Sequence, residues 1–205
     1  LKAPLRGIDN VITWIEEDHS TELPPKISEY IQLIKGRLLR AENMIRGILM
    51  YARVGRQNPE REYINLNALL QDVVENLVIR PGLVVELPKD LPDIYSEKIP
   101  LQQLLSNLIS NAIKYHDKPQ GYIRVNVKTT LDHYVFSVED NGPGISRTYH
   151  EKIFAIFQTL QERDSFESTG VGLAIVKKIL DDRKQKITVS SEPGKGTTFS
   201  FTWPK

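Results

Sequence analysis

Between Ile27 and Ala52 the apolar residues Ile27, Ile31, Ile34, Leu38, Ala41, Ile45, Ile48 and Ala52 recur at steps of 4, 3, 4, 3, 4, 3 and 4. Steps that alternate in this way keep one stripe of a helix apolar along its length, the pattern of a helix packed lengthwise against other helices. Leu1, Leu5, Ile8, Ile12 and Ile15 form a second such seam on a preceding helix. Residues Ser20 to Pro25 join the two, and Pro24 and Pro25 break any helix running through them. Residues 1–54 therefore read as a helical hairpin. Two helices bury little apolar surface, so the seam is expected to close on a second copy as a dimeric four-helix bundle. The alternative is a hairpin folded onto the rest of its own chain.

Val54 to Pro59 (VGRQNP) is rich in turn formers and reads as a linker, leaving residues 60–205 as a second domain. Short strands are expected at Tyr63–Ile64, Leu83–Glu86 and Asp93–Tyr95, and helices at Leu69–Leu77, Leu101–Tyr115 and Val171–Asp181. Tyr122–Thr130, Tyr134–Glu139, Lys186–Ser191 and Thr197–Trp203 read as strands joined by tight turns. Strands paired through tight turns predict an α+β fold, with a mixed, largely antiparallel sheet covered by helices on one face. Across 205 residues, 27 basic side chains against 26 acidic ones leave a charge of +1, which makes no electrostatic case for nucleic acid or an acidic membrane surface. With no cysteine, disulfides, zinc-thiolate sites and thiol nucleophiles are excluded, as suits a reducing cytoplasmic setting. The longest uncharged run, Ile99 to Ile113, is too short and too polar to span a bilayer, so no membrane contact is expected of these residues.

Four short patterns carry candidate chemistry. On the helix 101–115, Asn107, Asn111 and Lys114 recur at i, i+4, i+7 beside the apolar stripe, where a solvated face would normally carry Glu and Lys. Amide oxygens are hard ligands that suit Mg²⁺, and an ammonium suits phosphate; the plain alternative is a chance polar face. Asp140-Asn141-Gly142-Pro143-Gly144 follows a strand directly. It reads either as an ordinary turn or as a loop approaching a flat ligand, with Asp140 accepting a hydrogen bond from a group such as an adenine amine. Gly170-Val171-Gly172-Leu173 opens a helix, where unpaired N–H groups and the helix dipole favour phosphate, though a simple cap would look the same. Gly194-Lys195-Gly196-Thr197 reads as a hairpin turn entering a strand.

Taken in order, these patterns resemble the catalytic domain of histidine kinases, the Bergerat-type ATP-binding fold shared with DNA gyrase B subunits, heat-shock chaperone ATPases and mismatch-repair ATPases. NLISNAIKY (107–115) resembles the N box, DNGPGI (140–145) the G1 box and IFAIF (153–157) the F box. GVGL (170–173) is similar to the G2 box, GKGT (194–197) to the last glycine motif, and LKAPLRGI (1–8) to the tail of the H box of a dimerisation and histidine-phosphotransfer domain. The ending of the N box and the presence of an F box resemble sensor kinases more than gyrase or chaperone relatives. The resemblance implies a fold in which the hairpin forms a dimeric bundle and precedes an α/β sandwich. It also implies an activity: Mg-ATP binding and transfer of the γ-phosphoryl group to a histidine, for relay to an aspartate on a response-regulator receiver domain.

Residue by residue, the resemblance implies that Asn111 coordinates Mg²⁺ and that Asn107 lines the same site and helps position the γ-phosphate. Lys114 would contact phosphate and Tyr115 would pack beside the nucleotide. Asp140 would take the adenine amine, with Gly142 and Gly144 giving close backbone approach, Ile145 beside them and Thr197 holding a water. Residues 158–169 would form an ATP lid, with Phe157 at one end and Gly170, Gly172 and Leu173 at the other; Arg163 in the lid could reach the γ-phosphate. Phe154 reads as core. In the family pattern the phosphorylated histidine lies two positions before the leucine matched by Leu1, about 200° around the helix from it and so facing away from the seam. His19, His116, His133 and His150 read as ordinary loop or surface residues. The 205 residues alone are thus expected to bind ATP without labelling themselves. Ala3, where many relatives carry Thr or Asn, implies weak phosphatase activity in the parent, with or without a membrane anchor. Two rival readings are an ATP-binding scaffold and an ATP-hydrolysing machine of the gyrase or chaperone kind. Against the second, Asn107 stands where those enzymes carry a glutamate base.

Overall fold

The computed structural model describes residues 2–19, 23–55, 59–159 and 169–205. Two antiparallel helices come first, α1 (Lys2–Asp18) and α2 (Pro25–Arg53), the latter with Pro25 in its first turn, where no backbone donor is missed. Gln32 donates to Glu16 across the pair at 2.9 Å, and Lys35 forms an ion pair with the same carboxylate. Among the described residues of the two apolar seams, only Ile12 and Ile31 are buried; Ile8, Ile15, Ile27, Ile34 and Ile48 stay exposed.

The remaining elements are β1 (Glu62–Asn65), α3 (Leu66–Glu75), β2 (Leu83–Glu86), β3 (Asp93–Ser96), α4 (Lys98–Tyr115), β4 (Gly121–Thr129), β5 (His133–Asp140), α5 (Gly172–Asp182), β6 (Ile187–Glu192) and β7 (Gly196–Pro204). Short 3₁₀ turns at Arg147–Tyr149 and Lys152–Phe154 lie between β5 and α5. Five strands form one sheet in the order β2-β4-β5-β7-β6, antiparallel throughout except for the parallel pair β2-β4. The expected mixed, largely antiparallel sheet is therefore present. β1 and β3, however, pair with each other in a separate two-stranded ribbon.

Strict alternation on β4, β5 and β7 sends Ile123, Val125, Phe136, Val138, Phe199, Phe201 and Trp203 to one face. There they meet the stripe Leu101, Leu104, Leu105, Leu108 and Ile109 of α4. Phe136 and Phe201, opposite each other in the ladder, stack with ring centroids 5.0 Å apart. Trp203 is fully buried and donates its indole N–H to Ser96 Oγ at 2.8 Å, which ties the sheet to the ribbon. Leu105 is buried with no exposed surface, so Leu105→Ala is expected to cost about 2–5 kcal/mol. Among the described residues no helix is long and apolar enough to cross a membrane.

The α2 helix also packs on α5. Lys178 Nζ donates to the Tyr51 carbonyl at 2.9 Å and sits 4.4 Å from that ring's centroid, so the hairpin is folded onto the rest of its own chain along this length.

Candidate functional site

α4 is held by its apolar stripe, which leaves Asn107, Asn111, Lys114 and Tyr115 half-buried on its flank. They border a cavity of about 640 Å³. Asp140, Gly144 and Ile145 enter it from the end of β5 and the loop beyond, Gly170, Gly172 and Leu173 from the start of α5, and Thr197 from β7. Four separate stretches of sequence thus converge on one space. Of the expected site residues, Gly142 and Phe157 do not line it.

The Asp140 side of the cavity is the more tightly built. Asp140 pairs with Thr197 across β5-β7, and its Oδ1 accepts the Gly142 N–H at 2.9 Å. Gly142 is buried against this carboxylate and His116, so it holds Asp140 in place and does not form a cavity wall. Burial pushes the Asp140 carboxyl above its ordinary value, against the downward pull of the Gly142 N–H, His116 and the Thr197 N–H. Gly196 has φ +101°, and a Cβ there would lie 2.0 Å from the Asp140 carbonyl oxygen, so only glycine fits.

Ser191 was not legible as a site residue, yet it organises this end. Its hydroxyl donates to the Gly196 carbonyl at 2.8 Å and accepts the Ile145 N–H at 2.7 Å. It lies 3.0 Å from Thr197 Oγ1. With its one proton committed to Gly196, Ser191 accepts from Thr197, which leaves the Thr197 oxygen to act as an acceptor.

His116 differs from the surface residue expected from the sequence. It is buried at the end of α4, its Nε2 2.9 Å from Asn141 Oδ1 and its Nδ1 3.2 Å from Arg80 Nη2. The amide oxygen and the guanidinium fix the roles: Nε2–H donates to Asn141 and Nδ1 accepts from Arg80. This ties the end of the N-box helix to the Asp140 loop. Lys118 adds a bond to the Asn141 carbonyl at 2.5 Å.

On the other side, Asn107 Nδ2 donates to the Gln103 carbonyl at 2.8 Å, so its Oδ1 is the free end of the amide. That oxygen lies 3.0 Å from where a Cβ on Gly172 would sit, which makes the start of α5 a cradle that a side chain would fill. The Phe157 N–H donates to the Gly170 carbonyl at 2.9 Å, so the chain leaves and re-enters at one point. Residues 160–168, Arg163 among them, lie outside the described residues. Phe154 packs edge-on against Phe199 at 6.3 Å, as core. Lys195 pairs with Glu192 on the exposed hairpin turn and does not line this cavity. A fifth stretch, Asn43, Arg46, Gly47 and Met50 of α2, also lines the cavity and had a sequence signal only in Gly47, a poor helix former in mid-helix.

The pattern of the histidine kinase-, DNA gyrase B-, and HSP90-like ATPase family matches residues 96–205. The phytochrome-like protein Cph1 of Synechocystis sp. is 32% identical over 100% of this chain, which covers 28% of that protein. The methanogenesis regulatory histidine kinase FilI of Methanothrix harundinacea is 34% identical over 100% of this chain and 23% of its own length. The chain thus spans about a quarter of these curated relatives. Among solved structures, histidine kinase ThkA in complex with the response regulator protein TrrA superposes with a TM-score of 0.65 at 25% identity, covering 100% of this chain and 59% of that one.

Proposed function

The chain belongs to the histidine kinase-, DNA gyrase B-, and HSP90-like ATPase family, and from that premise we propose that it is the catalytic core of a two-component sensor histidine kinase. One observation carries the reading. A single cavity gathers two amides and a lysine from α4, a buried carboxylate from β5 and a glycine-opened helix, and it abuts a helical hairpin with uncovered apolar faces.

In this reading Asp140 accepts the adenine amine and Thr197 holds a water beside it. Lys114 and the N–H groups at the start of α5 take the phosphates, where the helix dipole favours negative charge. Asn107 positions the γ-phosphate, and the first acceptor is the histidine of an H box that these 205 residues do not contain. Catalysis is positioning and charge neutralisation, as phosphoryl transfer generally requires. Among the described residues no group of three or more His, Asp or Glu could hold a metal ion. Asn111 borders the same cavity, its Nδ2 3.7 Å from where a Gly172 Cβ would sit, and the oxygen of that amide is a hard donor that suits Mg²⁺ shared with phosphate. Mg²⁺ held there would supply charge neutralisation.

The exposed Ile8, Val11, Trp14, Ile15, Ile27 and Ile34 support a homodimer through residues 1–54, with residues 60–205 as the ATP-binding domain. ThkA's complex with a response regulator supports a receiver domain as the partner that takes the phosphoryl group on from that histidine, a relay that this reading places in the cytoplasm. The hydrolase reading lacks a base: among the described lining residues the only carboxylate is Asp140, committed at the adenine end. The test is labelling with Mg-ATP. The 205 residues should bind ATP and take no acid-labile phosphate, whereas the chain extended upstream by a histidine-bearing H box should take it. Labelling of the 205 residues, or steady ATP hydrolysis by them, would refute the reading.

A further inference from the structure

We propose that the hairpin helix α2 is a working wall of the nucleotide site, in which Arg46 and Asn43 bind the terminal phosphate and Gly47 is the seat that lets them reach it. The proposal rests on the nucleotide reading above and adds to it a residue pair from outside the family-matched region 96–205.

Asn43, Arg46, Gly47 and Met50 follow the i, i+3, i+4, i+7 spacing of one helix face, and all four border the cavity. Gly47 is buried, and a Cβ there would meet Val171 Cγ2 at 2.9 Å and Val171 Cβ at 3.1 Å. The α2 backbone therefore rests directly on Val171, the residue between Gly170 and Gly172. Gly172 in turn leaves only enough room to face Asn107 Oδ1. Contacts run from Gly47 through Val171 and Gly172 to Asn107, which places Arg46 at the Asn107 end of the cavity.

Asp140 stands at the opposite end. Gly142 folds against both its carboxylate and His116, the residue that ends α4. Asn107 lies nine residues earlier on that helix, about 14 Å along its axis. A nucleotide with its base on Asp140 thus runs its phosphates along α4 towards Asn107 and Arg46. The cations among the described lining residues are Lys114 and Arg46, and Arg46 is the one at the far end. A guanidinium there meets phosphate oxygens with forked donors, and the Asn43 amide adds another.

Docking of α2 is held elsewhere by Lys178 on the Tyr51 carbonyl and by Gly55, whose Cβ would collide with the Asp182 carboxylate. Hairpin position and terminal-phosphate binding are then two faces of one equilibrium, and each strengthens the other.

Calorimetry on the 205-residue chain with Mg²⁺ and a non-hydrolysable ATP analogue, ADP or adenosine tests this. Arg46→Ala should weaken the ATP analogue about tenfold, the scale of one charge-assisted hydrogen bond, and leave adenosine unchanged. Gly47→Leu, which lifts α2 from Val171, should give the same selective loss, and the double variant no more than either alone. Unchanged ATP-analogue affinity in Arg46→Ala, equal losses for all three ligands, or additive losses in the double variant would each overturn the proposal while the nucleotide reading stands. A wild-type chain that binds none of the three ligands would overturn the nucleotide reading itself and this proposal with it.

Discussion

The two ends of the cavity are built on different principles. At the Asp140 end, adjacent strands in fixed register hold the carboxylate, the Ser191 hydroxyl gathers three backbone and side-chain groups, and His116 fastens the loop from behind. At the Asn107 end, the walls are one flank of α4, the first turn of α5 and a face of α2, three helices from distant parts of the sequence. A sheet register cannot slip by one residue without turning its core residues outward, whereas docked helices can separate. The Asp140 end, proposed to hold the base, is thus fixed by strand register, and the Asn107 end, proposed to hold the phosphates, is an assembly that can come apart.

The largest effect is expected from Asp140→Asn, which breaks the base end alone. It should weaken adenosine and the ATP analogue alike, by about a hundredfold at most, the upper range for a hydrogen bond to a charged group. It should also stabilise the protein. Burial raises this carboxyl, so the fold holds the proton more tightly than the unfolded chain does; the group favours folding at acid pH and loses that contribution as pH rises through its raised value. Ionised Asp140 therefore costs stability at neutral pH. Thermal melts should show Asp140→Asn more stable than wild type there, with the gain vanishing on acidification; a variant less stable at neutral pH would contradict this. In parallel, wild-type ATP affinity should fall on acidification from a pH above the ordinary carboxylate range.

At the other end, Asn111→Ala should reduce Mg-dependent affinity for the ATP analogue about tenfold while adenosine binding holds. Equal losses for both ligands would erase the distinction between the ends. Ser191→Ala removes the hydroxyl that bonds the Gly196 carbonyl and the Ile145 N–H and should cost about 1–3 kcal/mol of stability in denaturant melts, with adenosine and the analogue weakened together. Lys178→Ala, at a partly exposed docking contact, should cost under about 1 kcal/mol and lower only affinity for the analogue, a few-fold.

The base end and its sheet were largely legible because their signals are local. Alternation at Ile123 and Val125, at Phe136 and Val138, and at Phe199, Phe201 and Trp203 marks strands and their buried face, and the Asp140 loop directly follows one of them. What was hidden depends on which pieces meet. The pairing of β1 with β3 outside the main sheet is a choice of partner that no local pattern encodes. His116 looks like any residue after a helix until Arg80 and Asn141 arrive from elsewhere. Ser191 sits in an ordinary strand, and its importance comes from facing Thr197 across a turn, with its hydroxyl on the Gly196 carbonyl. The heptad seam of α2 was plain, but the Asn43–Arg46–Gly47 face beside it acquires meaning only when Val171 docks there.

The most direct measurement of the central claim is phosphoryl transfer. The chain extended upstream through an H box, incubated with Mg²⁺ and γ-labelled ATP, should acquire acid-labile, alkali-stable phosphate on the added histidine, and Asp140→Asn should lower that labelling at sub-saturating ATP in step with its weakened binding. Continuous release of free phosphate with no labelled protein would contradict the account.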